Sequence, residues 1–134
     1  MGKLPHIILS KKLKALQDPT RLKILSLLSK RPLCVCVITE ALRLAQPTIS
    51  RHLALLENAG FIQKERQGRM IIYAISPEDE LAQRLLDVTL EETAKDPECA
   101  ALSNHVEDET GGTLALLRRQ EDPLSPREKK QEMI

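Results

Sequence analysis

Apolar positions return with a helical period four times along the first sixty residues, and then the pattern changes. From 7 to 16, Ile8, Leu9, Leu13 and Leu16 form an apolar side, with Lys11, Lys12 and Lys14 as the polar face of a first helix. Asp18 is a good N-cap and Pro19 suits a first helical position. Leu22, Leu25 and Leu28 then give a second helix to about Ser29, closed by Lys30-Arg31-Pro32. A third, shorter helix begins near Cys34 or Val35 and runs to Leu42, with Ile38, Ala41 and Leu42 apolar. Arg43 to Gly60 reads as a turn and a fourth helix. Pro47 fits its first turn, Ile49, Leu53 and Leu56 recur at i, i+4 and i+7, and Gly60 stops it.

After Gly60 the period becomes strand-like. Phe61 to Glu65 and Met70 to Ile75 are short β-prone runs, and the Arg-Gln-Gly-Arg between them predicts a hairpin in which Gly68 supplies a positive φ. Ser76-Pro77 is expected to cap a last helix from Glu78 to about Lys95, whose Leu81, Leu85, Leu86, Val88 and Leu90 make a broad apolar stripe. A domain this small cannot cover both that stripe and the apolar side of the first helix, so a dimer built from the two terminal helices is expected. The stretch 96–134 is rich in Pro, Gly and mixed charge; only Thr113 to Gln120 looks helical, and much of it is expected to be flexible. The predicted fold is mainly α with a β-hairpin wing. It is a winged helix-turn-helix over 1–95, dimerising through its first and last helices, followed by a C-terminal tail over 96–134.

Composition sharpens this picture at three points. One Phe and one Tyr are the only aromatic residues, so the core must be Leu, Ile and Val, and stacking platforms for single-stranded nucleic acid are excluded. Absence of a signal-peptide core or a bilayer-length apolar run leads to an expected cytoplasmic location. The net charge of +1 hides an asymmetry: residues 1–75 hold 13 Lys and Arg against 4 Asp and Glu, or +9, while residues 76–134 hold 7 against 15, or −8. A basic half carrying a helix-turn-helix is the electrostatic footprint of a duplex-DNA binder. Gln46, Thr48, Ser50, Arg51 and His52 supply donors and acceptors on the early turns of the second helix of that motif, and Arg66 and Arg69 flank the wing tip. An amphipathic helix with a merely solvated polar face is the bland alternative; the charge split of the whole domain argues against it.

The runs DPTRLKILSLL, LCVC, ALRLAQPTISRHLALLENAGFI and RQGRMIIYAI, in that order over roughly residues 10–90, closely resemble the ArsR/SmtB family of metalloid- and metal-responsive winged-helix repressors, specifically its arsenical-resistance operon repressors. The resemblance implies a homodimer that binds an imperfect inverted repeat over its own promoter and leaves it on binding an inducer. Ala45 stands where the family often has a Ser N-cap, a loss of about 1 kcal/mol.

Three cysteines carry the inducer argument. In a chain of this kind Cys34-Val35-Cys36 is a thiol site rather than a structural disulfide, and two thiolates favour soft ions. Trivalent arsenic or antimony takes three sulfurs. The resemblance places a third Cys three residues after the second, where this chain has Thr39, and an Asp where it has Val37. Cys99, from the same protomer or across the dimer, is then the expected third ligand. The alternatives are an external thiol or water completing a Cys34/Cys36 site, and a pair that is a redox switch or vestigial. Positions i and i+2 of a regular helix point about 200° apart, so both sulfurs are expected to face one ion only if the start of the third helix unwinds, which would disturb the helix holding the DNA-reading one.

Other chemistries fit less well. The family's zinc sensors use Asp and His on the last helix, but Thr89 follows Asp87-Val88 where a His is needed and 78–95 contain no His. Cadmium and lead sensing would need cysteines in the amino-terminal arm, which offers only His6. His105 lies in the tail. No phosphate loop, GxSxG elbow or HExxH occurs, so no enzyme is expected. A thiol redox-sensing repressor of the same fold is the leading alternative.

Overall fold

The computed structural model describes residues 4–106. Helix α1 (Pro5–Leu16) leads to α2 (Pro19–Leu28), a two-residue strand β1 (Leu33–Cys34), α3 (Val35–Leu42), α4 (Gln46–Asn58), strands β2 (Ile62–Gln67) and β3 (Met70–Ile75), and α5 (Glu80–Thr93). A further helix, α6, occupies 97–106. The fold is mainly helical with a small antiparallel sheet, as the periodicity predicts.

Local chemistry sets most boundaries. Asp18 caps α2 by accepting from the N–H groups of Thr20 (2.7 Å) and Arg21 (3.2 Å), with Pro19 in its first turn. Pro5 starts α1 two residues earlier than the apolar spacing indicates. Helix α5 is capped by Asp79, which accepts from Ala82 N–H at 2.9 Å, and not by Ser76-Pro77, so it begins at Glu80. Gly60 ends α4 at φ 88°, where a Cβ would run into the Glu78 carboxylate. At the hairpin Gln67 pairs with Met70, leaving Gly68 (φ 63°) and Arg69 as the loop. Positive φ at the first loop residue alone is the II′ pattern, which favours Gly there.

The core joins Ile24, Leu25 and Leu28 of α2, Ile38 of α3, Ile49, Leu53 and Leu56 of α4, and Ala82 and Leu86 of α5, with Phe61 and Tyr73 under the sheet. The sequence pattern gives no signal for β1. It pairs antiparallel with β3, Leu33 opposite Tyr73 and Cys34 opposite Ile72, so the wing is a three-stranded sheet ordered β1-β3-β2.

Two further expectations change. Lys12 is not on a polar face: its side chain is 3% exposed, and its Nζ donates to Ala59 O (2.7 Å), pairs with Glu78 Oε2 (2.6 Å) and lies over the Phe61 ring. Lys11 and Lys14 are exposed as expected, but the exposed surface of α1 also carries Ile7 (50% exposed) and Leu13 (47%), and Val88 on α5 is 61% exposed. Where the sequence reading starts a tail at 96, the chain enters α6, with Cys99, Ser103 and Val106 buried. The rest of that tail, with the expected helix over 113–120, lies outside the described residues. No helix among the described residues is long and apolar enough to cross a membrane.

Candidate nucleic-acid interface and thiol pair

Helices α3 and α4 are joined by a tight turn that Arg43 makes possible. It sits in the left-handed region (φ 57°) and donates its N–H to Thr39 O at 2.9 Å, closing α3 so that α4 can set off across it. Ile49, Leu53 and Leu56 bury one side of α4 completely. That leaves Gln46, Ser50 and Arg51 exposed, with Thr48 and His52 half-buried. Ala45 is the N-cap and makes no side-chain cap bond. Arg66 and Arg69 are exposed on the hairpin beyond α4, with Lys64 on the same strand as Arg66.

His52 differs from the other α4 residues because it is held from within. Arg21 donates from Nε to Ala15 O (2.7 Å) and from Nη2 to Lys14 O (3.2 Å), and its Nη1 lies 3.1 Å from His52 Nδ1. Burial pushes the Asp18 carboxyl up. The N–H groups of Arg21 and Thr20, with the Arg21 charge and His52, more than offset this, and its pKa lies below the usual carboxylate value. The sequence offers no signal for a contact spanning 31 positions between Arg21 and His52.

The structure joins Cys34 and Cys36 as a disulfide, with Cα atoms 5.3 Å apart. Two sulfurs at i and i+2 meet without any unwinding of α3. Cys34 is not in the helix but is its N-cap, extended at φ −72°, ψ 148°, and only Cys36 is in the first turn. The expectation that the helix start must unwind therefore loses its premise. Cys34 Sγ accepts from Cys36 N–H at 3.1 Å, a cap in which sulfur takes the place of the usual oxygen. Cys34 is buried against Ile72, with Val37 and Met70 packed alongside, while Cys36 is exposed. The pair thus straddles the wing sheet and the helix that packs on α4. One turn along α3 the Thr39 hydroxyl is buried without a hydrogen-bond partner among the described residues.

Cys99 is not brought to this pair within the chain. It lies in a cavity of about 130 Å³ between α2, α5 and α6, lined by Ser26, Ser29, Thr93 and Ser103 among others. Burial pushes its thiol pKa up, a hydrogen bond with Ser26 works the other way, and Asp96 and Glu98 add to the rise. Among the described residues no three His, Cys, Asp or Glu side chains come together to hold a metal ion. His6 and His105 are exposed.

Sequence and structure comparisons bear on this arrangement. The family model described as "Bacterial regulatory protein, arsR family" matches residues 18–64, from the α2 cap into β2. The chain is similar to the arsenic resistance transcriptional regulator ArsR1 of Pseudomonas putida KT2440, with 46% identity over 66 residues, 48% of this chain and 52% of that one. It is similar to the arsenical resistance operon repressor of Escherichia coli K12, with 49% identity over 65 residues, 48% of this chain and 56% of that one. The chain therefore spans about half the length of these curated relatives. A crystal structure of an ArsR family transcriptional regulator superposes with a TM-score of 0.54 at 30% identity, covering 72% of this chain and 98% of that one.

Proposed function

The chain belongs to the arsR family of bacterial regulatory proteins, and from that premise we propose that it represses transcription by binding duplex operator DNA and lets go when trivalent arsenic or antimony is held by the Cys34 and Cys36 thiolates. Members of the family are transcriptional regulators and not enzymes. On the proposed reading, Gln46, Thr48, Ser50, Arg51 and His52 face the major groove, and Arg66 and Arg69 reach the flanking backbone or minor groove. Two copies associate through α1 and α5, a pairing supported by the exposed Ile7, Leu13 and Val88.

The observation that carries the inducer reading is the position of the thiol pair. Cys34 is paired to the wing strand and Cys36 opens the helix that packs on α4. Trivalent arsenic bonds thiolate sulfur, so it binds after a thiol reductant has supplied two electrons and two protons to the Cys34–Cys36 disulfide; the ion then displaces the two thiol protons and fixes a separation of the sulfurs that the free dithiol does not have. Cys34 then shifts against β3, or Cys36 shifts the first turn of α3. Either movement alters the angle between wing and α4, so the ion prefers the state that fits DNA poorly. Allosteric couplings of this kind are typically about 1–3 kcal/mol. The third coordination position falls to a small external thiol, to water, or to the Cys99 thiol of a second copy, since Cys99 of the same chain occupies its own cavity.

The Cys34–Cys36 disulfide favours one second reading, a repressor that senses oxidants. Two thiols then lose two protons and two electrons to peroxide, which leaves as two waters. One experiment separates the two. A duplex is selected from a random-sequence pool by the reduced protein, and its release is followed by fluorescence anisotropy with arsenite or with peroxide. Arsenite is expected to release the wild type, while Cys34→Ser and Cys36→Ser stay bound. Arsenite leaving the wild type on DNA, with peroxide releasing it, replaces the metalloid reading by the redox one.

A further inference from the structure

We propose that Arg21 is a positioning residue for His52, fixing the tautomer of its neutral imidazole as Nε2–H so that α4 offers DNA a ring N–H donor and not a ring acceptor. The inference rests on the reading that α4 faces DNA.

A guanidinium has five N–H donors and no acceptor, and it stays protonated in proteins. Arg21 is also held in place, because its Nε and Nη2 are spent on Ala15 O and Lys14 O in the last turn of α1. Carbonyls there lack the i+4 N–H partner of a helix interior, although Lys14 O also accepts from the Gln17 N–H at 3.4 Å. The remaining arm, Nη1, stands 3.1 Å from His52 Nδ1. Facing a donor that cannot accept, Nδ1 must present its lone pair, so the single proton of the neutral ring resides on Nε2. That atom lies on the far side of the ring from Arg21. His52 is only half-buried, on the same helix as the exposed Ser50 and Arg51. A free imidazole exchanges between two tautomers and can meet DNA as donor or acceptor. Locked in one, it recognises only acceptors: a purine N7, a guanine O6 or a thymine O4 in the groove, or a phosphate oxygen. A histidine that merely tied α4 to α2 would need the same Nδ1 contact but would leave DNA recognition unmoved.

The test has two arms. The first needs no substitution: long-range ¹H–¹⁵N correlation of the reduced, DNA-free protein, at a pH well above the ordinary imidazole value of about 6.5. His52 is expected wholly in the Nε2–H form, and Arg21→Leu is expected to return it to a mixture; an Nδ1–H ring in the wild type overturns the proposal. The second arm uses the duplex selected by the wild type. Arg21→Leu should weaken binding about fivefold, one hydrogen bond's worth. His52→Gln removes the imidazole whose tautomer Arg21 would fix, so whatever affinity that variant itself retains, adding Arg21→Leu to it should change nothing further. An equal loss in both backgrounds assigns Arg21 a purely structural role and overturns the proposal. Replacing single purines by 7-deazapurines, and single phosphates by methylphosphonates, should weaken the wild type about fivefold at one position where His52→Ala is insensitive. Insensitivity at every position, with guanine→2-aminopurine and thymine→5-methyl-2-pyrimidinone substitutions covering the O6 and O4 acceptors, contradicts use of the donor. Failure of the wild type to select any duplex refutes instead the premise that α4 faces DNA, and the spectroscopic arm still decides the tautomer.

Discussion

Removing the Glu78 carboxylate should damage this protein more than removing the lysine it serves. Lys12 carries its ammonium into a site where the side chain is 3% exposed, and three groups receive it: Ala59 O at 2.7 Å, Glu78 Oε2 at 2.6 Å and the Phe61 ring at 5.7 Å. Breaking a fully buried ion pair by deleting one partner costs about 3–5 kcal/mol. Here the Glu78 side chain is 53% exposed, so water partly replaces it and the expected cost of Glu78→Ala is nearer 2 kcal/mol. Lys12→Met keeps the apolar stem against Phe61 and frees Glu78 into solvent. Its main penalty is the Ala59 carbonyl left without a donor, about 1 kcal/mol. The double substitution should then match Lys12→Met to within about 0.5 kcal/mol, because the buried charge that needed Glu78 is gone. Urea unfolding at fixed protomer concentration reads these differences, and Glu78→Ala should lower the melting temperature by roughly 6–10 °C. If Lys12→Met proves the more damaging, or the two effects simply add, the ammonium is not buried in the way described.

Other consequences can be checked more briefly. Asp18→Asn keeps a capping oxygen but has no charge to lose; because the folded pKa of Asp18 is depressed, its contribution is present above the unfolded value of 3.8 and fades as pH falls through the folded value. Wild type should therefore lose stability to acid faster than Asp18→Asn, by urea midpoints compared at neutral and acid pH. In the reduced protein Cys99 should react with iodoacetamide more slowly than the exposed Cys36, since burial keeps its thiol protonated; mass spectrometry of timed digests shows the order, and equal rates would contradict the buried cavity. Thr39→Val should stabilise the protein by about 1 kcal/mol, because it removes a buried hydroxyl that has no partner at nearly constant volume.

What could be read from the chain and what could not divide along a physical line. Asp18-Pro19, Gly60, Gly68 and the Ile49/Leu53/Leu56 spacing act within a few residues, and the elements they mark stand where local chemistry puts them. Asp96-Pro97 carries the same signature as Asp18-Pro19, with Asp96 accepting from the N–H groups of Glu98 and Cys99, and α6 could have been read from it. Burial of Lys12 depends on Ala59 and Glu78, far along the chain, and the Arg21 tie to His52 is of the same kind. Strand β1 is two residues long and exists only because β3 is beside it. That pairing also holds Cys34 outside the helix, so regular helical geometry does not govern how the two sulfurs meet.

The central claim is that the Cys34/Cys36 site and the DNA-facing surface are coupled, and reciprocity offers its most direct test. Arsenite affinity should be measured on the reduced protein free and saturated with its selected duplex, alongside duplex affinity with and without arsenite. Arsenite is expected to bind the duplex-bound protein about 5- to 150-fold more weakly, by the same factor that arsenite weakens duplex binding. Equal arsenite affinity in the two states would contradict the account, because a ligand that does not distinguish the states cannot drive release.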